Sequence, residues 1–447
     1  MDLLASFKSY IKEEGLFPAN SNLLLAVSGG LDSVVLTDLC IAAGFDIVLA
    51  HCNFQLRGEE SNRDEVFVRT LASQYNVPVL IEKFDTTAYA DANKLSVQVA
   101  ARELRYNWFF SLVNAEFPVA QYILTAHHRD DNIETLLMNF FKGTGIAGLR
   151  GILPKQDKLI RPLLFASRTQ LQEYASSKGL QWVEDSSNAS DKYTRNYLRH
   201  QLIPLAKEIY PQVSENLAHN IERFRDIETL YRQAINIHMK KLIEVRGNEV
   251  HIPVLKLAKA DPLHSIVYEI IKEYGFSSAQ TPEVIALLNS ESGKYVQSAT
   301  HRVIRNRKWL IIAPVVTETP PLIVIEEAPD TVLYPGGSIR LSRIQAADHT
   351  ISTDPQIAAL DAKHIKFPLL LRPWKKGDYF YPLGMQKKKK VARFLIDQKL
   401  SATAKEKVWV LEMNKTIIWV VGLRIDDRYK IRPSTREILQ LSSEFGR

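Results

Sequence analysis

Four short apolar runs, "LLLAV", "DIVLAH", "VPVLIEKF" and "QYILTAHH", alternate with longer amphipathic segments between Asn22 and Ala126. The runs have strand length, while the intervening stretches repeat apolar residues with helical period. Strands and helices alternating in this way build βαβ units, and hence an open parallel sheet covered on both faces. The helix in "SNRDEVFVRTLASQYN" is expected to start at Ser61, whose hydroxyl can cap its first turn, and "SVQVAARELRYNWFFSLV" reads as another helix. Ligands of such sheets gather at the carboxyl ends of the strands, so the residues that follow each run carry the functional question.

The remaining sequence changes character twice. "RPLLFASRTQLQEYASSKGL" and "NYLRHQLIPLAKEIYP" read as helices trailing the sheet, ending at Pro211. A long charged amphipathic segment, "ENLAHNIERFRDIETLYRQAINIHMKKLIEV", and a strand-like "KYVQSATHRVIRNRKWLIIAP" follow. After the Pro-containing "VTETPPL" the chain turns β-rich, with "KKKKVARFLIDQKL" reading as one basic helix. At 447 residues about three domains are expected. They are an α/β domain over 1–212, a mostly helical middle domain with a small sheet over 213–317, and a β-rich α+β domain over 318–447.

No apolar run approaches the roughly 20 residues of a membrane span, and "MDLLASFKSYIKEEG" reads as an amphipathic helix rather than a secretory signal. A cytoplasmic protein without a membrane partner is expected. The two cysteines, Cys40 and Cys52, lack the paired spacing of a zinc or redox motif. The 57 Lys and Arg against 50 Asp and Glu leave a net charge of +7, compatible with an RNA partner without requiring one.

The first strand runs into "SGGLDS". Gly29 and Gly30 permit close backbone approach, Ser28 and Ser33 can donate hydroxyls, and the helix starting near Leu31 aims its first N–H groups at an anion. A phosphate loop of the Walker type would supply a lysine; Asp32 stands here instead. Its negative charge next to a polyphosphate implies a bridging Mg²⁺, and so a bound pyrophosphate portion of Mg·ATP. Taken alone, the hexapeptide also fits a tight turn capped by Asp32 or Ser33.

The second strand ends in "AHCNFQLRGEES", which brings His51, and the fourth in "TAHHRDDNIETLL", which brings His128, Asp130, Asp131 and Glu134. Asp130 and Glu134 lie one helical turn apart, and Asp130 or Asp131 could reach a metal near Asp32. Two acids at a helix start also suit the helix dipole. "AARELRYNWF" sets Arg102 and Arg105 on one helix face, where phosphate or plain solvent would suit them. "YTRNYLRHQ" interleaves Arg195 and Arg199 with Tyr193 and Tyr197, a pattern suited to RNA phosphates and bases. Lys387, Lys388, Lys389 and Lys390, near Trp374, Tyr379, Phe380 and Tyr381, form a stronger basic and aromatic patch.

In order, "SGGLDS", "HCNFQLRGEES", "ARELRY", "TAHHRDDNIET", "RPLL" and "EDSSNASDKYTRNYLRHQLIP" resemble the tRNA(Ile)-lysidine synthetases, a branch of the PP-loop ATP pyrophosphatases. "LLLRPWKKGDYFYPLGM" resembles that family's C-terminal domain, so the likeness spans the chain. It implies ATP-dependent adenylation of the C2 oxygen of the wobble cytidine in a CAU-anticodon tRNA(Ile), then displacement of AMP by the ε-amine of L-lysine. It implies that residues 28–33 bind ATP, that Asp32 and Asp130 organise Mg²⁺ and the reacting lysine, and that Arg105, Arg195 and Arg199 serve phosphate or tRNA. A homodimer is implied by the resemblance alone. Phe54 and Asn132 depart from the common family pattern of His and Gln, so neither inherits a polar catalytic role.

A free lysine amine, with a pKa of about 10.4, needs desolvation or a base, and Asp130, Asp131, His51 and His128 are the candidates. The rival enzyme is another PP-loop adenylating tRNA modifier such as a thiolase, which would commonly use paired cysteines; Cys40 sits in an apolar helix. A non-catalytic nucleotide sensor or RNA-binding module is the other rival, and it gains little from Asp32 and Asp130.

Overall fold

The alternation of runs appears as a six-stranded sheet in the computed structural model, which describes residues 2–115, 118–184, 194–315, 321–327, 330–346 and 352–445. The chain forms two compact units, Met1–Gln233 and Ala234–Arg447. In the first, α1 (Leu3–Glu13), β1 (Leu23–Ala26), α2 (Leu31–Ala43), β2 (Ile47–Asn53), α3 (Glu59–Tyr75) and β3 (Val79–Lys83) come first. Then follow α4 (Thr86–Asn93), α5 (Val97–Val113), β4 (Tyr122–Leu124), α6 (Arg129–Phe141), α7 (Ile146–Leu149), β5 (Lys155–Gln156), β6 (Leu159–Ile160) and α8 (Arg168–Lys178). The helices α9 (Thr194–Tyr197), α10 (Ile203–Ile209) and α11 (Val213–Leu242) close the unit; α11 belongs to it as far as Gln233.

The strand order is β3-β2-β1-β4-β6-β5, with β1 parallel to both β2 and β4 and only β5 antiparallel. After β3 the chain returns to the other side of β1, so the order reverses between β1 and β4. That gap is the crevice where open α/β sheets bind ligands. Both sheet faces are apolar: Leu23 and Leu25 enter one core with α1, α2 and α8, and Leu24 enters the other with Phe109 and Val113 of α5. Each fully buried leucine contributes about 1.5–3 kcal/mol. The two strand ends that carry the motifs are thus held rigidly.

In the second unit, strands 244–246, 249–253, 309–314, 301–306 and 295–297 form an antiparallel sheet beside helices Val254–Leu257, Leu263–Ile271 and Thr281–Ala286. Two more antiparallel sheets, of five and four strands, share a core that includes Ile339, Leu360, Leu371 and Trp419. Among the described residues no helix is long and apolar enough to cross a membrane.

Two local expectations change. The third helix starts at Glu59 after Gly58, so Ser61 lies inside it; the positive φ of Gly58, 52°, makes the entry turn that a capping serine was expected to make. The lysine run is not helical. Lys389 and Lys390 form a short strand paired with Tyr379–Phe380, and the helix begins only at Val391. Apolar Val391, Phe394 and Leu395 define the buried face of the helix, and the lysine run lies before its first residue.

Candidate active site

The turn after β1 is shaped by its glycines. Gly29 has φ 91°, a conformation that side chains rarely adopt, and a Cβ there would lie 3.3 Å from the Phe67 ring. Gly30 is the N-cap of α2 and contributes no side-chain cap, so the first N–H groups of α2 stay open to an anion. Ser28 and Ser33 face each other, Oγ to Oγ 3.4 Å, and Ser33 Oγ donates to the Gly30 carbonyl at 2.8 Å. The second glycine of the motif thus frees donors instead of capping them.

Asp32 points its carboxylate into the crevice. Its Oδ1 is buried without a hydrogen-bond partner among the described residues, and burial raises its carboxyl above the usual range, against the opposing charges of His128 and Arg168. A buried, unpaired carboxylate oxygen beside a phosphate cradle fits a hard cation. Among the described residues no group of three His, Cys, Asp or Glu side chains is arranged to hold a metal unaided.

Across the crevice, α6 starts at Arg129 with His128 as its N-cap, whose backbone N–H donates to Asp131 Oδ2 at 3.1 Å. The His128 imidazole is only 1% exposed and lies among three carboxylates. Nε2 is 3.7 Å from Asp32 and 3.5 Å from Asp131, and Nδ1 is 3.6 Å from Asp130. Burial disfavours its charge, but Asp130, Asp131 and Asp32 outweigh burial and raise its pKa. Burial also opposes ionisation of Asp130, yet His128 and the Arg168 N–H, 2.8 Å away, bring it down to about 2. The motifs of β1 and β4, about 100 residues apart in sequence, therefore form one acidic centre around one imidazole.

Arg195 and Arg199 are not presented as a free phosphate grip. Arg199 clasps Glu134 with bonds of 2.6 and 3.0 Å and reaches Asp131 at 3.2 Å, and Arg195 lies 3.4 Å from Glu134 and donates to Thr135. Glu134 is 0% exposed, so a carboxylate that deep in the protein requires these partners. Tyr197 is exposed and Leu198 buried, and Tyr193 lies outside the described residues.

Residues 3–206 match the PP-loop domain, 244–315 the TilS substrate binding domain and 369–441 the TilS substrate C-terminal domain. The chain is 37% identical over 437 residues to a tRNA(Ile)-lysidine synthase of Parabacteroides distasonis, covering 98% of this chain and 99% of the relative. The chain belongs to the tRNA(Ile)-lysidine synthase family. Two other tRNA(Ile)-lysidine synthases agree: that of Bacteroides thetaiotaomicron, 37% identical over 96% of this chain and 97% of the relative, and one of Porphyromonas gingivalis, 32% identical over 98% of both.

Within this lysidine synthase family member the remaining motif residues separate. His51 is buried, with Nδ1 2.9 Å from the Val27 carbonyl, and burial lowers its pKa, so it is a neutral prop at the end of β2. Phe54 stacks on Phe84 at 5.8 Å, with the Arg105 guanidinium 5.8 Å from its ring. Asn132 is a bracket: its Oδ1 accepts from the Ile152 N–H at 2.6 Å, and a Cβ on Gly151 would strike that oxygen. His127 and Arg161 lie within the motifs "TAHHRDDNIET" and "RPLL" that the sequence singles out, but neither is given a role of its own there. His127 is held at 2.9 Å from Thr125 Oγ1, and burial pushes it down to about 4. Arg161 directly follows β6, opens the "RPLL" motif and is 6% exposed; the motif marks the position, but nothing in it shows that the side chain is buried.

In the second unit Lys388 lies 5.4 Å over the Tyr379 ring and Lys389 pairs with Asp397 at 2.8 Å, while Lys387 and Lys390 are exposed. The four lysines are therefore not equivalent.

Proposed function

We propose that this chain ligates L-lysine to C2 of the wobble cytidine of a CAU-anticodon tRNA(Ile). ATP adenylates the C2 oxygen with loss of pyrophosphate, and the lysine ε-amine then displaces AMP, which leaves with that oxygen. The observation that carries this reading is the joining of the "SGGLDS" turn and the His128 carboxylate cluster at one switch point, in a chain aligned along its length with lysidine synthases. Residues 28–33 hold the nucleotide. Asp32, with Asp130 as a second carboxylate, would hold Mg²⁺, which supplies neutralisation of polyphosphate charge when bound. Asp131 offers the incoming ammonium an acceptor, and water exclusion at the crevice favours its neutral form.

Catalysis is assigned to residues 1–212, and tRNA contact to 213–317 and 318–447, with Lys387–Lys390 on the RNA side. A cytoplasmic location and a homodimer complete the proposal. The test is incorporation of labelled lysine into a CAU-anticodon tRNA(Ile) transcript with Mg·ATP, compared with a transcript bearing a changed wobble base. Incorporation that requires the cytidine is expected; pyrophosphate release without lysine uptake would point to another nucleophile.

Replacing Lys387, Lys388 and Lys390 together with Gln should weaken tRNA binding and lower the salt slope by about 2 to 3, as each lost phosphate contact releases fewer counterions. Lys389→Gln alone should barely change the slope, because Asp397 already engages that ammonium. Equal slopes in all variants would return the run to a solvated face.

The thiolase rival meets two unreactive thiols. Cys40 is fully buried in α2, where burial raises its pKa, and burial pushes Cys52 up to about 12. Both stay protonated at neutral pH, unlike a working thiolate. The Cys40→Ala/Cys52→Ser variant is expected to keep turnover within a few-fold of the parent; turnover lost in a folded protein would favour sulfur chemistry.

A further inference from the structure

Asn132 lies on the face of α6 opposite Asp130 and Glu134, two residues from each. That face is fastened to α11 through the segment 150–152. The buried Asn132 accepts from the Ile152 N–H at 2.6 Å through Oδ1, and Arg225 of α11 donates from Nη2 to the Ile152 carbonyl at 2.8 Å. Ile152 is thus held from both helices through its own backbone. Arg150 secures the same segment, with Nη1 2.6 Å from Glu228 Oε2, a carboxylate buried on α11 that also engages Arg232. Gly151 has φ 64°, and a Cβ there would lie 2.1 Å from Asn132 Oδ1 and 3.3 Å from Ile221 Cγ2, so glycine is what lets the chain pass so close to both. Contacts among Ile133, Leu136 and Ile221 draw the helices together, but apolar contacts are non-directional and do not set the rotation of α6 about its axis. Hydrogen bonds to one residue's backbone do.

We propose that Asn132 and Arg225 are positioning residues for the reaction: gripping Ile152 from both sides, they fix the roll of α6 and with it the place of Asp130 and Asp131 opposite Asp32. The inference rests on the lysine-ligating reading above. Side-chain ends lie roughly 5–6 Å from a helix axis, so a roll of about 10° moves a carboxylate by about 1 Å. A displacement of that size slows a reaction on the order of 10²-fold. Asp32 rides on α2, outside the clamp, so a roll of α6 changes distances across the crevice rather than within the helix. The first turn of α6 is anchored separately, by the Arg129 N–H to the Ala166 carbonyl at 2.9 Å and the Arg168 N–H to Asp130. One anchored turn leaves a helix free to swing, and the grip on Ile152 supplies the second point.

The test compares Arg225→Met, Arg225→Lys, Asn132→Leu and the double variant Asn132→Leu/Arg225→Met with the parent in lysine incorporation, with active sites counted by ATP-binding titration so that misfolded protein does not enter kcat. Arg225→Met and Asn132→Leu should each lower kcat about 10- to 100-fold and leave the KM of ATP and of tRNA within about twofold. Arg225→Lys, which can still donate to the Ile152 carbonyl, should recover most of the rate. The double variant should be no slower than the slower single one, because releasing either side of Ile152 already frees the helix. Unchanged kcat, losses that multiply in the double variant, or a raised KM at unchanged kcat would each overturn the positioning role. Amide hydrogen exchange reads the clamp without the reaction. In Arg225→Met, faster exchange within α6 with α2 and α5 unchanged is expected, and exchange that rises throughout the unit would reduce the clamp to general stability. Failure of the parent itself to incorporate lysine would overturn the proposed reaction, while the exchange pattern still decides the clamp.

Discussion

Asp32→Asn is expected to lower lysine incorporation on the order of 10³-fold while raising the thermal midpoint of the first unit. The activity loss follows from removing a carboxylate that combines an unpartnered buried oxygen with a place at the phosphate cradle; loss of comparable electrostatic groups costs about 10²–10³-fold. The stability gain follows from linkage. Burial raises the folded-state pKa of Asp32, so its contribution to stability is fully present below the unfolded pKa and is lost as pH rises through the folded one. At neutral pH the charged side chain is therefore a net cost, which asparagine removes. The gain should shrink as the pH falls into the range where Asp32 takes up its proton. A variant that loses activity and stability together would mean that Asp32 is a structural cap, and the case for a metal at this position would fall with it. Binding of tRNA should persist in the variant, since the proposed RNA contacts lie elsewhere.

What the sequence disclosed, and what it withheld, divides by range. The strands of the sheet were legible because β1, β2 and β4 are short apolar runs between amphipathic helices, and the motifs follow from their ends. The pairing of Arg199 with Glu134 was not legible, since 65 residues separate them and their motifs read as serving different partners, substrate or metal for Glu134 and RNA or phosphate for Arg199. The burial of Arg161 was likewise not legible, although "RPLL" marked its position, and neither was the short hairpin of β5 and β6 that places it. The lysine run misled for a local reason: lysine is a good helix former, and only pairing with Tyr379 and Phe380 turns Lys389 and Lys390 into a strand. Composition and period thus located the crevice, whereas the choice of which charges are spent inside it depended on tertiary contacts.

Those spent charges carry the second large effect: Glu134→Ala is expected to lower the midpoint of the first unit by about 10 °C, corresponding to about 3–5 kcal/mol. Glu134 is fully buried, with both oxygens engaged by Arg199 and Oε2 also facing Arg195. Burial raises its carboxyl, and the Arg199 fork pulls in the opposite direction. Removing the carboxylate strands two guanidinium groups against α6, and Arg199 would then bear on Asp131 alone, 3.2 Å away. The pair is better tested as a pair. Glu134→Leu/Arg199→Met removes both charges and should recover much of the loss, because a buried ion pair replaced by apolar groups of similar volume is close to neutral. The double variant should still be slow in lysine incorporation, since Asp131 would lose the partner that fixes its orientation beside His128. If the two single losses instead add in the double variant, the residues do not act as a unit, and the ordering of α6 must come from Thr135, Asn132 and the apolar packing of Ile133 and Leu136.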